Sequence, residues 1–155
     1  MPTYIVSATQ HLLTPDLKRK VAKEITRAHS EATGAQGFFA QVAFTEIPGG
    51  SHFMGGVEIN TPQVFIHGHI RAGRTEEQKK RLLADITESI HTVTHIEKRF
   101  LWTYISELPP ANMVEYGQVL PEPGQEAEWL ECKRSFDDVP QRSGASDSAH
   151  GMSAA

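Results

Sequence analysis

The 155-residue chain has one cysteine, Cys132, so no disulfide can form within it, which fits a reducing compartment. No apolar run approaches the roughly 20 residues of a membrane span, and the first residues lack the basic and apolar regions of a secretory signal. Together these absences predict a cytoplasmic protein with no membrane partner. Cationic excess is missing too: 15 Lys and Arg stand against 19 Asp and Glu, a formal charge of −4, which argues against a nucleic-acid surface. From about Asp137 apolar residues nearly vanish in favour of Ser, Gly, Ala and Asp, and 137–155 reads as a disordered tail behind a domain over 1–136.

What is present begins immediately. Behind Met1, Pro2 opens the β-type stretch Thr3, Tyr4, Ile5, Val6. Proline is small enough for the initiator to be trimmed, which would leave a secondary amine at the chain start. An α-amino group titrates around pKa 7.7–8.0 in model compounds, so modest burial or a neighbouring charge makes it a general base or a general acid at cellular pH. The plain alternative is a tolerated second residue, since a strand's first position is one where Pro fits.

The chain also repeats itself. Thr14 to Thr26 aligns with Thr75 to Thr87 at a shift of 75 − 14 = 61, and the same shift carries Phe39 onto Phe100, Glu46 onto Glu107 and Pro48 onto Pro109. Units over 2–49 and 63–110 each read as strand, helix, strand, with parallel strands inside each unit. Thr14 caps the first helix with Pro15 behind it, and Thr75 with Gln78 forms a capping box. Leu17, Val21, Ile25, Ala28 and Ala32 make one apolar stripe; Leu82, Leu83, Ile86, Ile90 and Val93 make the other. The expected fold is α+β: a four-stranded sheet with two helices on one face. Strand segments 39–44 and 100–105 carry large groups at both parities, so the opposite face needs a cover, and another subunit supplies it most economically. Residues 48–62 read as a Gly-rich connection with a short hairpin, and 108–131 as a proline-bounded arm ending in a short helix near 126–131.

Candidate chemistry falls at several points. Arg71 and Arg74 flank the turn into the helix capped by Thr75, where forked guanidinium groups and exposed helix N–H groups suit a carboxylate or phosphate; two solvated loop arginines are the plain alternative. His29 lies at the edge of its helix's apolar stripe, as a core histidine also would. Tyr104 sits in the last strand of the second unit and Glu115 in the arm. His67 with His69, and His91 with His95, have metal-ligand spacing, yet no third ligand follows at a recognised spacing, so no metal is assigned.

Taken together these residues resemble the tautomerase superfamily, specifically the cis-3-chloroacrylic acid dehalogenase family. The resemblance covers about 2–131. It is carried by Pro2, Leu13 to Pro15, Ile25 and Thr26, Ala28 and His29, Thr33, Gly34 and Gln36, Ala40 to Val42, and Gly55 to Val57. It continues through His67 and Gly68, Arg71 to Arg74, Tyr104, Glu107, Pro109, Met113 to Gly117, Leu120 and Pro121, Pro123 and Gly124, and Glu128 and Trp129. The 58–63 loop and the tail after Cys132 depart from it, which bears on substrate choice more than on mechanism.

The resemblance implies a homotrimer of the β-α-β tautomerase fold, without a cofactor, acting on a small carboxylic acid. It implies that Arg71 and Arg74, assisted by His29, hold a substrate carboxylate and draw electrons from a conjugated double bond. Glu115 with Tyr104 then activates water toward carbon 3, and protonated Pro2 delivers a proton to carbon 2. For a 3-haloacrylate the resulting halohydrin loses halide to give malonate semialdehyde. Two alternatives stand beside this. Neutral Pro2 would instead shuttle a proton in keto–enol tautomerisation, and hydration of acetylenic or other unsaturated acids uses the same groups. A non-enzymatic signalling trimer is the remaining class.

Overall fold

The computed structural model describes residues 2–35, 40–127 and 129–131. Gln36, Phe39, Glu128, Cys132 and the tail expected over 137–155 lie outside the described residues.

Alternating burial builds the sheet. Strand β1 (Thr3–Thr9) buries Tyr4, Val6 and Ala8 on one face, and β5 (Val64–Arg71) buries Val64, Ile66 and Ile70 on the same face. Between them run helix α1 (Pro15–Thr33), strand β2 (Gln41–Ile47) and a two-residue hairpin, β3 (Phe53–Met54) with β4 (Val57–Glu58). Helix α2 (Glu76–Thr94) and strand β6 (Leu101–Leu108) complete the second unit, and the hairpin β7 (Val114–Glu115) with β8 (Gln118–Val119) follows. The sheet order is β2-β1-β5-β6. As expected, each unit pairs its own strands in parallel, and the units join antiparallel through β1 and β5. The strands of 39–44 and 100–105 lie slightly later in the chain, at β2 and β6, because Phe100 ends a 3-10 turn (Lys98–Phe100) and β2 keeps pairing with β1 out to Ile47.

The helices start and stop as their sequences dictate. Thr14 accepts from the Leu17 N–H, and Thr75 and Gln78 form the complete capping box. Both end on a left-handed residue, Gly34 at φ 73° and His95 at φ 58°. Val21, Ile25 and Ala28 of α1 and Leu82, Ile86 and Ile90 of α2 are fully buried against the sheet, each large one worth about 1.5–3 kcal/mol.

The 61-residue repeat survives at the level of single bonds. Lys18 pairs with Glu46 at 2.7 Å, and their counterparts Lys79 and Glu107 pair at 3.0 Å. Thr26 and Thr87 each bond the carbonyl four residues back, and so do Thr33 and Thr94. The opposite sheet face is left with half-open apolar groups, Trp102 at 41% exposure and Tyr104 at 52%. Among the described residues no helix is long and apolar enough to cross a membrane.

Candidate active site

The duplicated framework breaks where chemistry could occur. At the 61-residue shift His29 corresponds to Ile90, Arg74 to Leu13, Arg71 to Gln10 and Pro2 to Gln63. Those four residues of the broken repeat, Pro2, His29, Arg71 and Arg74, line one cavity of about 240 Å³. Thr33, Gly34 and Ala35 at the end of α1 form part of its wall, and the arm closes it with Leu120, Pro121, Glu126, Trp129 and Leu130.

Pro2 is buried, and its carbonyl accepts from the Gln41 N–H at 3.0 Å, which ties the start of β1 to β2. His29 is only 3% exposed, and its Nδ1 lies 2.8 Å from the Tyr4 hydroxyl. Burial, then Arg74, then the chain's amino terminus lower the His29 pKa to about 4, so the ring is neutral at cellular pH. Burial also raises the Tyr4 phenol well above its ordinary value, so Tyr4 keeps its proton. With no other acceptor for that hydroxyl among the described residues, Tyr4 donates to Nδ1 and the His29 proton resides on Nε2. His29 is thus a neutral hydrogen-bond donor, not a third cation.

The two arginines have different surroundings. Arg71, at the end of β5, donates from Nη1 to the Pro121 carbonyl at 2.9 Å and from Nη2 to Glu126 Oε1 at 2.5 Å. Arg74 follows the left-handed Gly73 (φ 105°), and its backbone N–H donates to Glu107 Oε1 at 3.2 Å. Its Nε is buried without a partner among the described residues, and burial followed by repulsion from Arg71 lowers its pKa. A desolvated, underused guanidinium beside a helix start is suited to an anion.

Tyr104 and Glu115 do not line this cavity. Tyr104 projects from β6 on the open sheet face, edge-on to Phe65 with ring centroids 4.9 Å apart. Glu115 is partly buried in the β7–β8 hairpin, whose turn residues Tyr116 (φ 52°) and Gly117 (φ 77°) take the left-handed conformations that a two-residue hairpin loop requires. That hairpin abuts the cavity wall: Tyr116 packs edge-on to Trp129, and Trp129 Nε1 donates to the Val119 carbonyl at 3.1 Å. Sequence reasoning missed Tyr4 as the partner of His29, and Glu126 as the partner of Arg71. Of the paired histidines, His67 bonds Ser106 at 2.7 Å and His91 bonds the Ile96 carbonyl at 2.8 Å. Among the described residues no group of three or more His, Cys, Asp or Glu could hold a metal.

Comparison with known proteins agrees with this architecture. The family Tautomerase_3, described as "Putative oxalocrotonate tautomerase enzyme", matches residues 1–134. A crystal structure of a member of the cis-3-chloroacrylic acid dehalogenase family is 34% identical with a TM-score of 0.80, covering 88% of this chain and 99% of that one. A fused 4-OT, described as a wild-type asymmetric trimer, is 26% identical with a TM-score of 0.71 over 76% of this chain and 94% of its own. No curated protein sequence matches. The chain belongs to the tautomerase superfamily and, within it, to the cis-3-chloroacrylic acid dehalogenase family.

Proposed function

We propose that the protein adds water across the double bond of a small α,β-unsaturated carboxylate, of the 3-haloacrylate type, with halide loss to malonate semialdehyde. The observation that carries this reading is the convergence of Pro2, His29, Arg71 and Arg74 on one cavity. Arg74 and Arg71, with the Nε2–H of His29, hold the carboxylate and make carbon 3 electrophilic. Protonated Pro2 protonates carbon 2 while water, activated by Glu115 with Tyr104, attacks carbon 3; the halohydrin then expels halide as its hydroxyl proton leaves.

A homotrimer would cover the open sheet face. In that assembly Tyr104, half-exposed on that face, would join a neighbouring copy's cavity, while Glu115 would approach from the hairpin beside Trp129. Incubation with cis- and trans-3-haloacrylates, propiolate and an aryl enol-pyruvate, following halide and aldehyde release, tests the reading; ketonisation of the enol alone would replace it.

That second reading, keto–enol tautomerase, is favoured by one observation: within a single copy Glu115 lies outside the cavity. Neutral Pro2 would then move a proton between carbon and oxygen with no water involved.

A further inference from the structure

The arm that walls the cavity is gripped by one of the cavity's own cations. Arg71 reaches it at two points, the Pro121 carbonyl and the Glu126 carboxylate. The other Glu126 oxygen accepts from the Gly124 N–H at 2.9 Å, so the carboxylate is aimed by its own turn. Gly73, between the arginines, lies against Pro123; a Cβ on it would be 3.3 Å from that ring. Arg74, in the same cavity, feels the charges of Glu126 and Glu107, but its buried Nε has no hydrogen-bond partner among the described residues.

The two guanidinium groups therefore present one satisfied site and one open site to any anion. Glu126 Oε1 occupies the Arg71 Nη2 donor that a ligand carboxylate would otherwise take. With Glu126 offsetting Arg71, Arg74 is the guanidinium left for a ligand carboxylate, beside the charge of a protonated Pro2. The Arg71 hydrogen bond holds Glu126 below the ordinary carboxylate range, so it remains ionised at neutral pH. The pair is open from one side: the Glu126 side chain is 43% exposed, the Arg71 side chain 11%.

We propose that Glu126 determines substrate specificity by standing on Arg71 in place of a ligand carboxylate, so that the cavity accepts small monocarboxylates and discriminates against dicarboxylates. This rests on the reading of the cavity as a carboxylate site. Arg74 takes the ligand's carboxylate first, and any engagement of Arg71 must displace Glu126 and loosen the arm segment that carries Trp129.

Calorimetric titration of the full chain with crotonate and with fumarate tests this, because these four-carbon unsaturated acids differ only in a methyl group against a second carboxylate. The wild type should bind crotonate more tightly than fumarate. Glu126→Gln should tighten crotonate on the order of threefold to tenfold, the scale of a partly screened ion pair. Fumarate should gain more, and adding Arg71→Ala should erase both gains. Unchanged or weaker affinities in Glu126→Gln, a fumarate gain no larger than the crotonate gain, or gains that persist without Arg71 would each overturn the proposal while leaving the carboxylate site standing. Binding of neither acid to wild type or variants would overturn the carboxylate site and the proposal with it.

Discussion

Gly68 stands directly across the antiparallel ladder from Tyr4, and a Cβ on it would lie 2.5 Å from the Tyr4 ring. The absent side chain is what lets the ring lie flat along the sheet and place its hydroxyl 2.8 Å from His29. A glycine in the middle of a strand weakens it, and here it supports the cavity instead.

Gly68→Ala should therefore cost about 1–3 kcal/mol, the scale of overpacking a filled core, because Tyr4 is fully buried and has no free direction to move. Denaturant unfolding measures it. A midpoint equal to wild type would show that the ring can shift without penalty.

Acid should weaken the fold through His29. Its folded pKa of about 4 lies below the ordinary value of 6.5, so between these pH values the unfolded chain binds a proton that the native state refuses. This contribution is intact above about pH 6.5 and lost as pH falls toward 4, amounting to on the order of 3 kcal/mol. His29→Gln should flatten the pH dependence of the urea midpoint in that window, and an unaltered slope would assign the effect elsewhere.

Much of this was legible in the sequence because the signals were local or periodic. Thr14, Thr75 and Gln78 announced the helix starts, and stripes such as Val21, Ile25 and Ala28 announced the buried faces, since caps and period-3.6 burial need no knowledge of the rest of the chain. Pro2, His29, Arg71 and Arg74 were named from position and resemblance, and they meet. The bond between Arg71 and Glu126 joins residues 55 apart with no periodic relation, so nothing local pointed to it. Tyr104 and Glu115 were grouped with the site by resemblance alone, and a single copy does not bring them to the cavity wall, because β6 turns Tyr104 toward the uncovered face.

Arg74→Ala should reduce turnover of an unsaturated acid by two or more decades, about the loss that follows removal of a preorganised charge, with little change in melting temperature. Its guanidinium Nε has no partner among the described residues, so the fold should lose little. Steady-state kinetics beside a thermal melt gives both numbers; a variant that melts early but retains kcat/KM would make Arg74 a structural residue.

Intact mass should show Met1 removed, with Pro2 first. Retention of Met1 would leave Pro2 as an amide without a proton to give or take, and its place in the cavity would then reflect packing only.

The last prediction separates the two chemistries that would share this cavity. Glu115→Gln retains size and much of the hydrogen bonding while removing the base that would activate water, whereas a proton shuttle through Pro2 needs no activated water. Hydration or dehalogenation should fall by about 10²–10⁴, the usual contribution of a positioned general base. Ketonisation of an enol-pyruvate should be spared, because a proton shuttle through Pro2 does not use that base. The substitution leaves in place the left-handed Tyr116 and Gly117 that shape the hairpin turn. Equal loss of both activities, or hydration that survives the substitution, would remove Glu115 from the water-activating role and leave tautomerisation as the chemistry of Pro2 and the two arginines.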